Sequence, residues 1–551
     1  MNLRRATWIA LLGLAGAANA TPRWSPLAAE HGFAFSNRSG AADKSIILES
    51  TGSGVALLDY DGDGDLDLYL LHGAAQLGAA APGANALFRN DGAMRFTDVT
   101  EVAGVRGGGW SCGAAAADFD NDGHTDLYVT RFGANLLYRN RGDGRFEAVP
   151  AAGGADDPGM SLSAAVADFD RDGWLDLYVC NYLTWEPQQV RRLGDRYCFY
   201  RGVEVYCGPD GLRGAVSRLY RNLGGGRFED RTEAAGLAGI EVKAMSAQWT
   251  DLDGDRWPDL YVASDSTANL LLRNQGDGRF ADHSLLSGTA VSAAGAEQSG
   301  MGSSSGDADG DGDFDLFVTN FHNDSNTLYR NLGALLFADA TGAAGLALPS
   351  YERLSWSNAF VDLDADGDLD LYVVSGHVYP QAERLGEPYA QRPQLFVNRG
   401  DGRFEDHSDD AGPAFRRPHP SRGAAWGDLD QDGAIDLVVN TVDGPAEIWR
   451  GEPAGNHFLA IRLRGRRSNR DGLGALLRLR VGGTWQVREA RRSDGYLSSN
   501  DPRVRFGLGR SSSAEELQIH WPSGTEQTFH DLPADQELLI DEELGLNPSA
   551  P

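Results

Sequence analysis

The sequence predicts an all-β protein, a seven-bladed β-propeller over about residues 22–450 followed by a small, sandwich-like β-domain over 456–543 and a tail over 544–551. Three observations predict it. A nine-residue pattern, D-x-D-x-D-x-x-x-D, occurs seven times; a strand, Asn/Gly turn, strand pattern follows six of the copies; and apolar residues fall in short alternating runs with almost no helical spacing.

The acidic copies are DYDGDGDLD (Asp59, Asp61, Asp63, Asp65, Asp67), DFDNDGHTD (Asp118, Asp120, Asp122, Asp126), DFDRDGWLD (Asp168, Asp170, Asp172, Asp176) and DLDGDRWPD (Asp251, Asp253, Asp255, Asp259). They continue with DADGDGDFD (Asp307, Asp309, Asp311, Asp313, Asp315), DLDADGDLD (Asp362, Asp364, Asp366, Asp368, Asp370) and DLDQDGAID (Asp428, Asp430, Asp432, Asp436). Their starts lie 50 to 83 residues apart, too far for a solenoid coil and right for a four-stranded unit. The second pattern, as in NALFRNDGAMRF and NLLYRNRGDGRF, supplies two more strands, so the first repeat reads as strands at 55–58, 68–71, 86–89 and 95–99. One such sheet cannot bury both faces, whereas seven arranged radially cover one another. The seventh repeat lacks its fourth strand before a new pattern begins at Asn456. HGFAFSN (His31 to Asn37) reads as that missing strand, an N-terminal clasp that closes the ring.

Each acidic segment has the residues of an oxygen-ligand cage. Aspartates at positions 1, 3 and 5 converge when the chain curls, Gly at position 6 permits the turn, and Asp at position 9 closes the cage. Position 7 offers a backbone carbonyl, from His124, Trp174, Trp257 and Ala434 in the copies without Asp there. Hard carboxylate donors without His or Cys side chains point to Ca²⁺, up to seven ions. One such loop would be an ordinary polar turn, but seven at the same strand junction are not. The fourth copy carries Arg256 at position 6, which predicts backbone strain, a competing cation and the weakest site.

Asp plus Glu number 79 against 49 Lys plus Arg in 551 residues, a formal charge of −30. That disfavours nucleic acid and anionic membranes, which require basic surfaces. Residues 1–20 carry Arg4 and Arg5, an apolar run from Trp8 to Ala18 and the Ala18-Asn19-Ala20 cleavage motif. This predicts a signal peptide and a secreted protein, extracellular or periplasmic, without membrane insertion. Export permits disulfides. Cys198 and Cys207 are expected to staple the long insertion that contains them, and Cys112 and Cys180, in apolar strand patterns, read as buried free thiols.

The acidic repeats resemble the FG-GAP/VCBS repeats of integrin α-subunit propellers and secreted bacterial proteins, across all seven copies. The resemblance implies calcium at the aspartates named above. From Asn456 onward 13 Arg balance 13 Asp plus Glu, and a second domain begins. Its segments NRDGLGA (Asn469 to Ala475), DGYLSSNDPRVRFGLG (Asp494 to Gly509) and HWPSG (His520 to Gly524) resemble an ASPIC/UnbV domain. A propeller followed by this domain is the arrangement of the cartilage acidic protein family, which implies a secreted protein.

Other motifs have plainer readings. GWSCG (Gly109 to Gly113) and GSSSG (Gly302 to Gly306) match the esterase nucleophile elbow, yet each leads into a strand and not a strand-to-helix turn. The two RGD tripeptides, at Arg141 and Arg399, fall where the other repeats read QGD, LGG or LGA, so turn chemistry accounts for the Gly. Arg466, Arg467, Arg491 and Arg492 read as a solvated strand face, with a basic patch as the rival. In an up-and-down blade the acidic loops occupy one face of the ring and the loops between second and third strands the other. The latter are the candidate ligand face, with Asn181, Tyr182, Trp185, His322, His377 and Tyr379 as candidate contacts.

The function expected is a secreted calcium-binding scaffold that recognises an extracellular protein or glycan through these loops, without catalysis. The rivals are an exported enzyme acting on polysaccharide in a propeller-face pocket, and a docking component of an exported assembly. Neither a pair of carboxylates outside the acidic loops nor a cofactor fingerprint supports an enzyme.

Overall fold

The computed structural model describes residues 21–75 and 84–547; the leader expected at 1–20 lies outside them. Seven four-stranded antiparallel sheets run between Trp24 and Gly451. In blade 1 the strands are Val55–Leu58, Asp67–Leu70, Ala86–Asn90 and Phe96–Asp98. The innermost strands touch one another in cyclic order, the seventh returning to the first. Space narrows toward the axis, and the inner strands are built from small residues: WSCGAAAA at Trp110–Ala117, SLSAAVA at Ser161–Ala167 and SSSG at Ser303–Gly306, all buried. Larger side chains such as Tyr128, Leu177 and Tyr220 fill the wedge between blades 2 and 3 further out.

The N-terminus does close the ring, but through Trp24–Pro26, paired with Glu447–Gly451, and not through His31 to Asn37. The Phe residues of HGFAFSN mimic those of the outer strands. Burial decides otherwise: the Trp24 indole is 1% exposed, packs on Phe415 and donates to the Ile435 carbonyl at 2.8 Å. HGFAFSN crosses the seam to blade 1, where Phe33 meets Phe88 and Phe96. Only Ser36–Asn37 pairs, with Gly444–Pro445.

Six blades end their third strand with Asn, and each Asn ties two blades together. The Asn331 N–H donates to Asp315 Oδ1 at 2.8 Å. Its side-chain amide donates to the Phe314 carbonyl in its own blade at 3.1 Å and to the Leu252 carbonyl in the acidic loop of blade 4 at 3.0 Å. Asn90, Asn140, Asn222, Asn274 and Asn398 repeat this bridge to the preceding acidic loop. The seventh blade has Gly451 instead, where a Cβ would collide with the Ile435 carbonyl.

The C-terminal domain is two four-stranded sheets enclosing a core that includes Leu459, Leu477, Phe506, Leu517, Ile519 and Trp521. His457–Arg464 pairs in parallel with Gln536–Asp541, and the other pairings are antiparallel. The domain runs past residue 543, because Gly545–Asn547 adds an edge strand to Gln536–Asp541.

This domain sits on the acidic-loop face and threads a plug into the ring. Between its strands, residues 494–501 enter the axis and bond to six of the seven inner strands. Gly495 exchanges backbone bonds with Ser303; Leu497 accepts from Ala114 and donates to Ser163 Oγ. Ser499 exchanges bonds with Val55 and Leu57, Tyr496 N–H reaches Ser357 Oγ, and Asp501 N–H reaches the Trp426 carbonyl. Glycines make the room: a Cβ on Gly54 would strike the Leu497 carbonyl, and one on Gly302 would crowd Gly495 at 3.3 Å. Arg491 and Arg492 are therefore not a solvated face. Arg492 is 2% exposed and donates to the Leu57 carbonyl, and Arg491 binds the Ser305 carbonyl at 2.6 Å.

Candidate metal centres and a loop-face pocket

The acidic segments fold as the turns between first and second strands. In the third, Asp168 accepts from the Asp172 and Gly173 N–H groups at 2.9 and 3.0 Å, and Asp172 accepts from Trp174 N–H at 3.0 Å. Asp176 accepts from Phe169 N–H at 3.1 Å and Asn222 N–H at 2.7 Å, which fixes the last carboxylate from the strand side. Two left-handed residues make the curl, one at position 6 and one at position 4. Position 4 holds Asn121, Arg171, Ala365 and Gln431 at φ 57 to 59° in four loops and Gly in the other three, a requirement the sequence reading did not identify.

Carboxylate oxygens of Asp59, Asp61 and Asp67 lie within 4.8 Å of one another, as do those of Asp118, Asp120 and Asp122; Asp168, Asp170 and Asp176; Asp251, Asp253 and Asp255; and Asp307, Asp309 and Asp311. In six loops a buried carboxylate oxygen has no hydrogen-bond partner among the described residues: Asp61 Oδ1, Asp170 Oδ1, Asp251 Oδ1, Asp307 Oδ1, Asp364 Oδ2 and Asp428 Oδ1, among others. Burial first, and then neighbouring carboxylates, push these groups up. Asp168 rises to about 7, Asp364 to about 8 and Asp307 to about 6. The position-9 carboxylates rise as well, Asp67 to about 9 and Asp126 to about 8, with burial again the leading cause. Orphaned acceptors crowded at this spacing fit a hard divalent cation, which would satisfy the free lone pairs and relieve the repulsion.

An arginine of the third strand helps to aim each of several cages. Arg221 Nε meets Asp170 Oδ2 at 2.5 Å, and Arg330 meets Asp309 Oδ2 at 3.0 Å, while the other oxygen of each of these aspartates stays buried and unpaired. Arg139, Arg273 and Arg450 pair with Asp120, Asp253 and Asp430 in the same way; Asp430 Oδ1 is again buried and unpaired, whereas Asp120 Oδ1 and Asp253 Oδ1 accept from the Asp122 and Asp255 N–H groups at 3.3 and 3.2 Å. This is the Arg of the recurring R-N pair, a signal present in the sequence but read only as strand chemistry. The sixth loop has Val397 there. Extra aspartates at position 7 need not face the cage, since Asp65 Oδ1 accepts from Gln431 at 2.7 Å.

In the fourth loop Arg256 does adopt φ 71°, the expected strain. Its guanidinium, however, reaches Glu526 of the C-terminal domain at 3.5 Å, so the expected competing cation points out of the cage. The same domain touches other loops: Arg505 pairs with Asp428 Oδ2 at 3.1 Å, Gly507 N–H donates to Asp362 Oδ2 at 2.9 Å, and Asp471 accepts from Asp118 N–H at 3.1 Å.

On the opposite face the insertion of blade 3 folds over the axis as a hairpin, Cys198–Tyr200 with Val203–Val205, closed by the Cys198–Cys207 disulfide. Cys112 and Cys180 are buried free thiols. Beneath the hairpin lies a cavity of about 540 Å³ bounded by Tyr182, Tyr206, Met245, Met301, Trp356 and Tyr379. Of the candidate contacts, Tyr182 and Tyr379 line it. Asn181 does not, because its amide binds Asp157 Oδ2 at 2.7 Å and the Val216 carbonyl at 3.2 Å. Trp185 packs edge-on against Phe132. His322 and His377 stand beside the cavity with Glu387 between them, at 3.5 and 3.6 Å. Tyr200 and Arg201 of the hairpin bind the same Glu387, which pins the hairpin to the sixth blade's loop.

Seven radial sheets carrying clustered carboxylates at one strand junction define a repeat propeller whose acidic turns could hold metal ions. The chain belongs to the FG-GAP-like repeat family, matched over residues 59–129, 118–179, 251–318, 307–373 and 385–439, and residues 465–546 match the ASPIC and UnbV domain. It is similar to cartilage acidic protein 1 of mouse, 26% identical over 278 residues, and of human, 24% over 279. The match takes in 48% of this chain and 40% and 39% of those two proteins, so the chain spans well under half of either relative. Among solved structures, a lectin of Burkholderia pseudomallei overlays with a TM-score of 0.44 at 11% identity, covering 73% of this chain and 96% of the lectin. An Agrocybe aegerita lectin that recognises non-reducing terminal N-acetylglucosamine overlays at 0.41 and 18%, covering 70% and 88%.

Proposed function

We propose that this protein is a secreted calcium-binding scaffold that recognises a protein or glycan on its loop face and catalyses no reaction. The observation that carries the calcium part is the set of buried, unpaired carboxylate oxygens in six of the seven acidic loops. Calcium supplies the positive charge that lets these carboxylates stay ionised inside the turns. Position-1 and position-3 aspartates would hold it, the backbone would place them, and the third-strand arginines would orient them. Secretion is supported by the disulfide, which suits an oxidising compartment. Among the described residues no helix is long and apolar enough to cross a membrane.

The division of faces supports recognition on the hairpin side. The C-terminal domain covers the acidic loops, and its plug fills the axis, which leaves the 540 Å³ cavity on the other face. The glycines that gave GWSCG and GSSSG their catalytic look serve the inner strands: a Cβ on Gly113 would meet the Leu497 Cα at 3.3 Å, and one on Gly302 would crowd Gly495. Elemental analysis of undialysed protein, with thermal unfolding with and without EGTA, tests the calcium part. A glycan array and affinity capture from the native extracellular fraction, compared between the protein and a variant lacking the 198–207 hairpin, test recognition. A ligand held saturably and left chemically unchanged is expected; turnover that disappears with the hairpin would point to an enzyme instead.

A further inference from the structure

The cavity under the hairpin has a chemical bias. Asp265 and Asp210 are the only charged residues among its described lining, and no Lys, Arg or His lines it. Asp265 is 5% exposed, and it forms no ion pair among the described residues. Its oxygens accept from Tyr182 OH at 2.5 Å and Ser266 Oγ at 3.0 Å. Burial raises its pKa, and the hydroxyls of Tyr182, Ser299 and Ser266 act in the opposite direction, as does the more distant Lys243. Arg422 lies behind Trp356, its guanidinium 4.1 Å from the indole ring and bonded to the carbonyls of Ser50, Gly376, Ser421 and His377, so it is not this carboxylate's partner.

Apart from the exposed Tyr197, the side-chain hydroxyl donors of the wall are largely committed. Tyr206 OH donates to Ser50 Oγ at 2.7 Å, Ser50 to the Ile47 carbonyl at 2.8 Å, and Tyr200 to Glu387 at 2.8 Å. Ser266 and Ser299 lie 2.8 Å apart and bond to each other. What remains free is acceptor capacity, negative charge and the π faces and edges of tyrosines. A neutral polyol needs donors as well as acceptors, and an anion would be repelled. A hard metal ion would find one buried carboxylate where it needs several oxygens. An ammonium group is a donor without acceptor capacity, and aromatic walls with a carboxylate are what hold it.

We propose that this cavity binds an organic ammonium group on an apolar stem, with Asp265 as counter-ion, the tyrosines as its walls, and Met245 and Met301 receiving the stem. The inference rests on the hairpin side being the recognition face and names the chemistry that face selects. The group can arrive as a free alkylamine or as a lysine side chain of a partner, and the test separates these sources.

Calorimetric titration of the full-length, calcium-loaded protein would use n-butylammonium, n-butyltrimethylammonium and Nα-acetyl-lysine amide, with n-pentanol, n-valerate and N-acetylglucosamine as controls. Saturable one-to-one binding of the cations is expected, with the controls at least about tenfold weaker. Asp265→Asn should weaken the cations about tenfold or more, and Asp210→Asn at the rim less than about threefold. Tyr182→Phe keeps the aromatic wall but removes a hydroxyl that helps to hold Asp265 in its charged form, so the cations should bind more weakly, and this keeps a readout if Asp265→Asn fails to fold. Acetyl-lysine amide matching butylammonium points to a protein side chain, and marked weakening points to a free amine. Pentanol, valerate or N-acetylglucosamine binding as tightly as the cations, or an Asp265→Asn variant with unchanged affinity, would overturn the proposal. Failure of the cations while a native ligand is still captured through the hairpin would sink the ammonium reading alone. Capture unaffected by hairpin deletion would sink the recognition-face reading.

Discussion

Arg450 Nε donates to Asp430 Oδ2 at 2.7 Å, and Oδ1 of the same carboxylate is buried with no hydrogen bond. A guanidinium fixed by its strand thus holds one oxygen outward and leaves the other for the cage. Arg221 with Asp170, and Arg330 with Asp309, show the same division. One arginine cannot satisfy four carboxylates, so each of these three loops still has an acceptor surplus that a cation would satisfy.

Chelation should therefore destabilise the protein. At free calcium about 100 times the dissociation constant, each occupied site adds about 2.7 kcal/mol. EGTA should lower the melting temperature, and Asp430→Asn should shrink the calcium-dependent part by about one site's share. Acidification should act oppositely on the two forms. Several cage carboxylates are raised in the folded state, Asp307 to about 6 and Asp67 to about 9, so the chelated fold binds more protons than the unfolded chain. Its stability should rise as pH falls from about 9 toward about 4, while the calcium-loaded form loses ions and stability over the same range. Melting curves with EGTA that do not improve on acidification would contradict this.

Arg256→Gly should relieve the φ 71° strain in the fourth loop. The gain should be about 1 kcal/mol, little offset by loss of the exposed pairing with Glu526, whose worth is about 0–1 kcal/mol. Calcium titration followed by chemical denaturation should show tighter binding by one site.

Asn331→Ala removes two buried amide bonds, one of them crossing to blade 4. It leaves the Leu252 and Phe314 carbonyls short of a donor, which should cost about 2–4 kcal/mol in denaturant unfolding. The exposed Leu336, on the same turn, should tolerate Ala within about 0.5 kcal/mol.

Tyr496→Ala empties the tip of the plug, where the ring is buried, lies tilted against Trp356 with centroids 5.1 Å apart and donates through its hydroxyl to the Thr51 carbonyl at 3.1 Å. A loss of about 3–5 kcal/mol is expected. Gly54→Ala places a methyl against the Leu497 carbonyl and should displace the plug. Limited proteolysis should then cut within 494–501, a segment protected in the parent.

His377 is fully buried. Its Nδ1 accepts from Tyr379 N–H at 3.0 Å, and its Nε2, 3.6 Å from Glu387, has no hydrogen-bond partner among the described residues. Burial, followed by the neighbouring His322 and Arg422, lowers its pKa to about 3. Glu387, Tyr200, Tyr379 and Arg201 complete its surroundings. Above about pH 6.5 its contribution is whole, and it is lost as pH falls toward about 3, because only the unfolded chain takes up the proton. His377→Gln should remove about one proton from the pH dependence of unfolding between those limits. An unchanged slope would show that the imidazole already titrates in the fold.

Most of the cage chemistry was legible because it is local. Asp168, Asp170, Asp172 and Asp176 lie within nine residues, and their convergence needs only a curl that left-handed positions permit. The roles of Arg221 and Asn222 were not legible, although both recur in the repeats, because their partners lie 46 to 103 residues away. Nor did the spacing of Arg491 and Arg492 reveal that the propeller itself buries them.

The sequence alone determined the repeat, its strands, the donor sets of the acidic turns and the presence of a second β-domain, since each is written in contiguous residues with fixed periodicity. Tertiary structure decided that Trp24 and not Phe33 closes the ring, that residues 494–501 fill its axis, and that Asp265 faces a cavity without a counter-ion among the described residues. Those outcomes depend on which distant surfaces exclude water and pair buried polar groups best when packed together, and no local pattern encodes that comparison.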